Sequence, residues 1–333
     1  MRLAGERMSD GSSATAAEPA GVLAAGISKR FGDTLAVERV DLALPPRGVC
    51  GLLGPNGAGK STTIRMIAGV FAPDAGELHV AGFDARRNAA ALRASVGYLP
   101  EAAPLFPELT PREYLRYRAG IAGIPRARMR AEIDRVLERC DARHFGNRCC
   151  GTLSKGMQQR VGLAAAILGD PRVVILDEPS VGLDPSQTIT FRGLVRELGE
   201  SRLVLFSSHL LAEVEAVCTE LAVIARGRLL AQESIDRFRA RAASRRLNVE
   251  SDRPLASALE REFPPDAIEE AGLGDGWWRA VILSEDARIG MERIGRAARE
   301  IGAVVRRLEP EPVSLESVFV AMISDRAAVG GPR

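Results

Sequence analysis

Gly54-Pro55-Asn56-Gly57-Ala58-Gly59-Lys60-Ser61-Thr62 decides the reading of this chain. The spacing GxxxxGK[ST] is that of a phosphate-binding loop. Glycines at 54, 57 and 59 let the backbone wrap phosphate oxygens with its amide hydrogens turned inward. Lys60 then reaches the β- and γ-phosphates, and the Ser61 hydroxyl is suited to Mg²⁺. Pro55, Asn56, Ala58 and Thr62 complete the loop as nucleotide-contacting positions. Val49–Leu53 reads as the strand feeding the loop and 61–68 as the helix leaving it, whose positive N-terminal end adds to the same pocket. Taken alone, the motif implies a nucleotide, ATP or GTP.

Working outward, Val173-Val174-Ile175-Leu176-Asp177-Glu178-Pro179 is an apolar run that ends on two carboxylates. It predicts a buried central strand of a parallel sheet, which delivers both acids to the strand's C-terminal edge, where ligands sit in such folds. Asp177 is expected on the metal and Glu178 as the base that polarises the attacking water. Leu153-Ser154-Lys155-Gly156-Met157-Gln158-Gln159 opens a helix predicted over 156–168, and Ser154 and Gly156 belong at its N-terminus, where unpaired amides favour a γ-phosphate.

Together these segments resemble the ATP-binding subunit of an ABC transporter, with 153–159 as its signature. The remaining pieces occur in the order the resemblance requires. Lys29-Arg30-Phe31-Gly32 matches the segment whose aromatic ring, here Phe31, stacks on adenine. Tyr98-Leu99-Pro100-Glu101 stands at the Q-loop, Gly182-Leu183-Asp184 at the D-loop, and Phe206-Ser207-Ser208-His209 ends on the switch histidine. The resemblance implies Lys60, Glu178 and His209 as catalytic residues and Ser61, Asp177 and Glu101 around Mg²⁺. It further implies ATP contacts from Phe31, residues 54–62, Glu101, Ser154, Gly156, Gln158 and Asp184. Glu101 replaces the usual glutamine, and Val181 stands where a small polar residue is common. The Tyr-Leu-Pro-Glu form resembles a subgroup of drug, antibiotic and gliding-motility exporters.

The implied fold is α/β: a P-loop NTPase core with an antiparallel β subdomain and a helical subdomain, followed by a small C-terminal α+β domain. Expected boundaries are a disordered tail over 1–21, an ATP-binding domain over 22–239 with its helical subdomain near 102–168, and an accessory domain over 240–333. Met8 is a possible start. From Thr110 to about Ala142 the pattern is helical, opened by Thr110 as N-cap, Pro111 at the first position and Glu113 three residues on. Leu115, Ala119 and Ala122 recur at helical spacing. The arginines between Arg112 and Arg143 read as a solvated helix surface more readily than as a lipid-binding patch. Beyond Arg239 the pattern predicts strand 246–250, helix 254–263, strand 277–283, helix 286–301 and strand 303–308, and the tail from Val313, through Phe319 to about Met322, resembles the closing helix that many members of the subgroup carry. Trp277-Trp278 reads as a packed strand rather than a ligand feature.

With 333 residues, a net charge of +2 and five cysteines without a CxxC pair, the chain has ample core and no charge signature of a nucleic-acid binder. The odd cysteine count fits a reducing compartment. No run approaches the ~18 apolar residues of a membrane helix. Transport would therefore need a separate permease, with this chain peripheral on the cytoplasmic face. The signature and the phosphate loop lie too far apart in such a fold to clasp one ATP within a chain, so the resemblance implies a head-to-tail homodimer. The alternative is a soluble ABC ATPase acting on a complex other than a transporter.

Overall fold

The computed structural model describes residues 21–180, 182–241, 246–284 and 286–310, with Glu316, Phe319 and Met322. Packing divides them into two units, 21–50 with 59–207 and 226–228, and 51–58 with 208–225 and 229 onward.

The first unit opens on a hairpin, β1 (Val22–Phe31) and β2 (Thr34–Leu44). Gly32-Asp33 makes its turn between the paired Phe31 and Thr34, with Gly32 at φ 54°, the positive value that glycine adopts without strain. β3 (Gly48–Leu53) follows, then helix α1 (Lys60–Ile67), β4 (Ala75–Val80) and β5 (Phe83–Asp84). β2-β1-β4-β5 form an antiparallel sheet. Helix α2 (Ala89–Ser95) leads to β6 (Val96–Leu99).

The stretch expected as one helical pattern is two helices, α3 (Pro111–Ile121) and α4 (Arg126–Arg139). Thr110 and Glu113 form the expected reciprocal capping box. The break has a plain cause. Gly123 sits at φ 72°, Gly123 N–H donates to Gly120 and Ile124 N–H to Ala119, a Schellman stop. Pro125 then forbids continuation. Leu115 and Ala119 are buried as the spacing implies, whereas Ala122 is exposed at the helix end.

Helix α5 (Lys155–Ala166), strand β7 (Val173–Asp177), helix α6 (Pro185–Ser201) and strand β8 (Leu203–Ser208) complete this unit. β6, β7 and β8 are parallel neighbours, and every residue of β7 is buried. A five-residue run with three β-branched residues suits a strand covered on both faces. The order continues β6-β7-β8-β3.

In the second unit the C-terminal half of β3 leads the order β3-β9-β10. Helix α7 (Leu211–Val217), β9 (Glu220–Ala225), β10 (Arg228–Ser234) and α8 (Ile235–Arg241) follow in sequence. Next come β11 (Arg246–Ser251), α9 (Ala256–Leu259), β12 (Ile268–Gly272), β13 (Trp278–Leu283), α10 (Ala287–Glu300) and β14 (Val305–Pro310). Their antiparallel order is β12-β13-β11-β14. Leu247, Val249, Leu259, Ile282 and Ile294 centre a hydrophobic core of this segment's own residues. The expected helix over 254–263 shortens to α9, and β12 is a strand that the sequence reading lacked. Trp277 lies 4.2 Å beneath the Arg306 guanidinium, a cation–π contact.

Residues 1–20 of the tail expected over 1–21, Val181 and most of the expected closing helix lie outside the described residues, while Gly21 is described and donates its N–H to Leu44 O at 2.9 Å. No helix among the described residues is long and apolar enough to cross a membrane.

Candidate functional site

The phosphate loop is built by glycines. In the second unit, a Cβ on Gly54 would collide with the Ile224 carbonyl, Gly57 adopts φ 76°, and Ala58 N–H donates to Pro55 O at 3.1 Å. In the first unit, Gly59 (φ 100°) is the N-cap of α1, and a Cβ there would lie 2.7 Å from the Ala36 carbonyl. No side chain caps α1 and no acid occupies its first turn, so the positive end of its dipole favours an anion there. Ser61 is exposed in that first turn, and Lys60 is buried.

The two acids stand where the apolar run ends. Asp177 closes β7, and both it and Glu178 are buried. Lys60 Nζ lies 3.6 Å from Glu178 Oε1, so the loop lysine and the expected base share one site. Glu178 has φ 48°, a conformation that L-residues with a side chain visit at a cost. Ser207 Oγ donates to Asp177 Oδ1 at 2.6 Å, and Glu178 N–H donates both to Ser207 Oγ at 3.1 Å and to Ser207 O at 3.2 Å. Tyr98 joins this cluster. Burial pushes its phenol above the ordinary value of 10, and the Asp177 charge adds to the rise. Neither Ser207 nor Tyr98 was singled out for a role from the sequence. The signal available for Ser207 was its register, directly opposite Asp177 across the parallel pair.

A second cluster carries the signature. Ser154 is the N-cap of α5, its Oγ accepting from Met157 N–H at 3.3 Å. Gly156 is buried, and a Cβ there would press on the side chains of Gln187 and Leu183. Gly182 faces Lys155 in the same way. Asp184 caps α6 by accepting from Gln187 N–H at 2.8 Å. Signature and D-loop thus form one packed patch. Gln158 donates to the carbonyls of Cys150 and Leu153 at 3.2 and 3.3 Å, so its amide braces the signature turn. Gln159 Nε2 donates to the Glu101 carbonyl at 3.1 Å. That bond ties α5 to the exposed Q-loop residue.

Phe31 is 49% exposed and meets Phe71 edge-to-face at 5.6 Å. Lys29, paired with Asp74 at 2.7 Å, lies 5.7 and 5.2 Å from the two rings. Phe71, the ring that packs on Phe31, was not among the residues expected from the sequence. His209, in the second unit, is exposed immediately after β8. The turn that presents it is fixed by Ser208, whose Oγ donates to Glu213 Oε2 at 2.7 Å and accepts from Leu210 N–H at 3.0 Å.

The donor set near Asp177 is hard oxygen. Among the described residues no group of three or more His, Cys, Asp or Glu side chains could hold a metal. One carboxylate and one hydroxyl fit Mg²⁺, which characteristically keeps waters and substrate phosphates as its other ligands.

Residues 37–181 match the family model described as ABC transporter. The chain is 36% identical to daunorubicin resistance ATP-binding protein DrrA3 of Streptomyces coeruleorubidus, over 67% of this chain and 71% of that protein. It is 30% identical to the uncharacterized ABC transporter ATP-binding protein YhaQ of Bacillus subtilis, over 89% of this chain and 96% of that one. Other relatives are longer: the match spans 11% of the human phospholipid-transporting ATPase ABCA7 and 36% of the Escherichia coli probable multidrug ATP-binding protein YbhF. A solved ATP-binding subunit of an ABC transporter superposes with a TM-score of 0.60 at 29% identity, covering 66% of this chain and 92% of that structure. The fold is the P-loop ABC ATPase core with its antiparallel β and helical parts and a small C-terminal α+β addition, and the chain belongs to the ABC transporter family as one of its ATP-binding proteins.

Proposed function

We propose that this chain is the ATP-hydrolysing subunit of an exporter, working as a head-to-tail homodimer on the cytoplasmic face of a membrane through a separate permease. The observation that carries the reading is the buried Lys60–Glu178 pair at the end of β7, adjoining Asp177. We assign 22–239 to ATP binding and 240–333 to an accessory domain.

In this reading the triphosphate lies along the glycine loop and the α1 N-terminus, with adenine on Phe31. Lys60 turns from Glu178 to the β/γ-phosphates, and the Glu178 carboxylate is then released to accept the proton of the attacking water. His209 holds the γ-phosphate from the switch position. Ser61 and Asp177, with Glu101 from the Q-loop, would hold Mg²⁺, which supplies charge neutralisation at the phosphates when bound. Such catalysis is mostly positioning and electrostatics. Ser154, Gly156 and Gln158 of the partner copy, with its Asp184, close the site. The drug-resistance description of one relative supports an export role.

The test is ATP turnover by the purified chain, alone and with the membrane protein encoded beside it. Turnover that Lys60→Ala abolishes, with lost nucleotide affinity, supports the reading. Absence of turnover in both preparations, or turnover that survives Lys60→Ala, contradicts it.

A further inference from the structure

We propose that Ser207 is a positioning residue that sets the geometry of both acids at the end of β7. Its side chain is completely buried and lies opposite Asp177 in the β7–β8 register. A hydroxyl has one proton and two lone pairs. The Glu178 N–H can only donate, so Ser207 Oγ is the acceptor of that 3.1 Å bond. Its single proton is therefore directed to Asp177 Oδ1 at 2.6 Å. One atom thus links the side chain of the metal-side acid to the backbone of the base. The carbonyl of the same serine takes the same N–H at 3.2 Å.

This double hold falls on a residue that needs one. Glu178 sits at φ 48°, where a side chain crowds the following carbonyl and only surrounding structure keeps the residue in place. Losing Oγ would remove one of the two Ser207 acceptors that hold the Glu178 N–H and let the backbone relax. Its carboxylate would then move from the place where it meets Lys60. The same loss removes the donor that orients Asp177, and partners of this kind commonly alter metal affinity or activity by about ten- to a hundredfold. Ser208, the next residue, has a different task, since its hydroxyl serves Glu213 and Leu210.

The inference rests on the roles proposed for Asp177 and Glu178, so the experiment carries Glu178→Gln as a control. Ser207→Ala and Ser207→Cys remove the strong donor, and Ser207→Thr keeps the hydroxyl. In full-length protein, kcat and KM for ATP are measured, together with affinity for a fluorescent ATP analogue with and without Mg²⁺. Expected for Ala and Cys is a kcat lower by about tenfold or more with metal-free affinity unchanged and a smaller gain in affinity when Mg²⁺ is added. Thr, which keeps the hydroxyl, should recover more of kcat and of the Mg²⁺ response than Ala or Cys. Should one of the two loss variants prove insoluble, the other carries the test. If Glu178→Gln turns over slowly while Ala and Cys keep wild-type kcat and Mg²⁺ response, the Ser207 proposal is overturned and the catalytic reading stands. If Glu178→Gln itself turns over normally, the catalytic reading falls first.

Discussion

Two glycine-to-alanine substitutions separate a glycine whose added methyl would meet backbone from one whose added methyl would meet side chains. At Gly59 the added Cβ meets a backbone atom, the Ala36 carbonyl, at 2.7 Å, and φ is 100°. Ordinary C···O contacts are about 3.3 Å or longer, so the loop must open by roughly 0.6 Å. Positive φ costs about 1–2 kcal/mol and overpacking about 1–3 kcal/mol, together about 2–5 kcal/mol. At Gly156 the new methyl instead collides with a side-chain atom, Gln187 Oε1, and presses on Gln187 Cδ at 3.1 Å and Leu183 Cδ2 at 3.3 Å. A glutamine can swing aside for about 0.5–1.5 kcal/mol. At about 2–4 °C per kcal/mol, Gly59→Ala should lower Tm by about 5 °C or more and weaken nucleotide binding. Gly156→Ala should shift Tm by about 1–6 °C, less than Gly59→Ala, and keep nucleotide binding. Its ATP turnover should nevertheless fall by about tenfold, the worth of one charge-assisted phosphate contact. Gln187→Ala in the Gly156→Ala background vacates the contested space and should restore part of the turnover. Scanning calorimetry and steady-state turnover decide. Equal destabilisation by both alanines, or no recovery in the double variant, would refute the packing argument.

Ser154→Arg and Lys60→Ala chains should each be nearly inactive, yet mixing them should recover activity, because both defects fall on one site of a mixed dimer and leave the other intact; no recovery with mixed dimers demonstrated contradicts closure in trans. Glu132 accepts two hydrogen bonds from Arg135 and one from Gly169 N–H, and the Arg135 bonds hold its carboxyl below the ordinary 4.5. A lowered pKa contributes stability above the unfolded value that is lost as pH falls through the folded one, so the wild type should lose Tm below pH 4.5 and Glu132→Gln should show a flatter acid limb, measured by melts across pH. The Cys140 thiol, pushed up to about 12 by burial, should resist alkylation in the native protein at pH 8 while exposed Cys149 reacts, as peptide mass mapping would report.

Much of this architecture was legible because its residues have few ways to be satisfied. Val173–Asp177 is too apolar for any place but a covered strand, and its acids can then emerge only at an edge. Thr110, Pro111 and Glu113 carry a helix start in their side chains. The stop at Gly123-Ile124-Pro125 was equally local, yet helical periodicity on both sides of it hid two helices inside one pattern. β12 was lost because Ile268-Glu269-Glu270-Ala271-Gly272 has little strand character of its own; pairing with β13 supplies it. Glu270 faces the other way for a tertiary reason, accepting from Leu255 and Ala256 N–H at the start of α9. Within the site, motifs identified the acids and the lysine but not their mutual contact. The Lys60–Glu178 pair and the Ser207 bridge depend on which strands become neighbours, and that is decided by the sheet rather than by any short stretch of chain.

As the proposed base of an ATP-closed dimer, Glu178 can be tested by trapping that dimer. Glu178→Gln is incubated with ATP and Mg²⁺ and followed by light scattering after size exclusion, with hydrolysis measured on the same sample. The account predicts retained ATP binding, turnover slower by roughly 10²-fold or more, and a stable dimer that wild-type protein shows only transiently. Wild-type turnover, or a strictly monomeric ATP-bound variant, would contradict it.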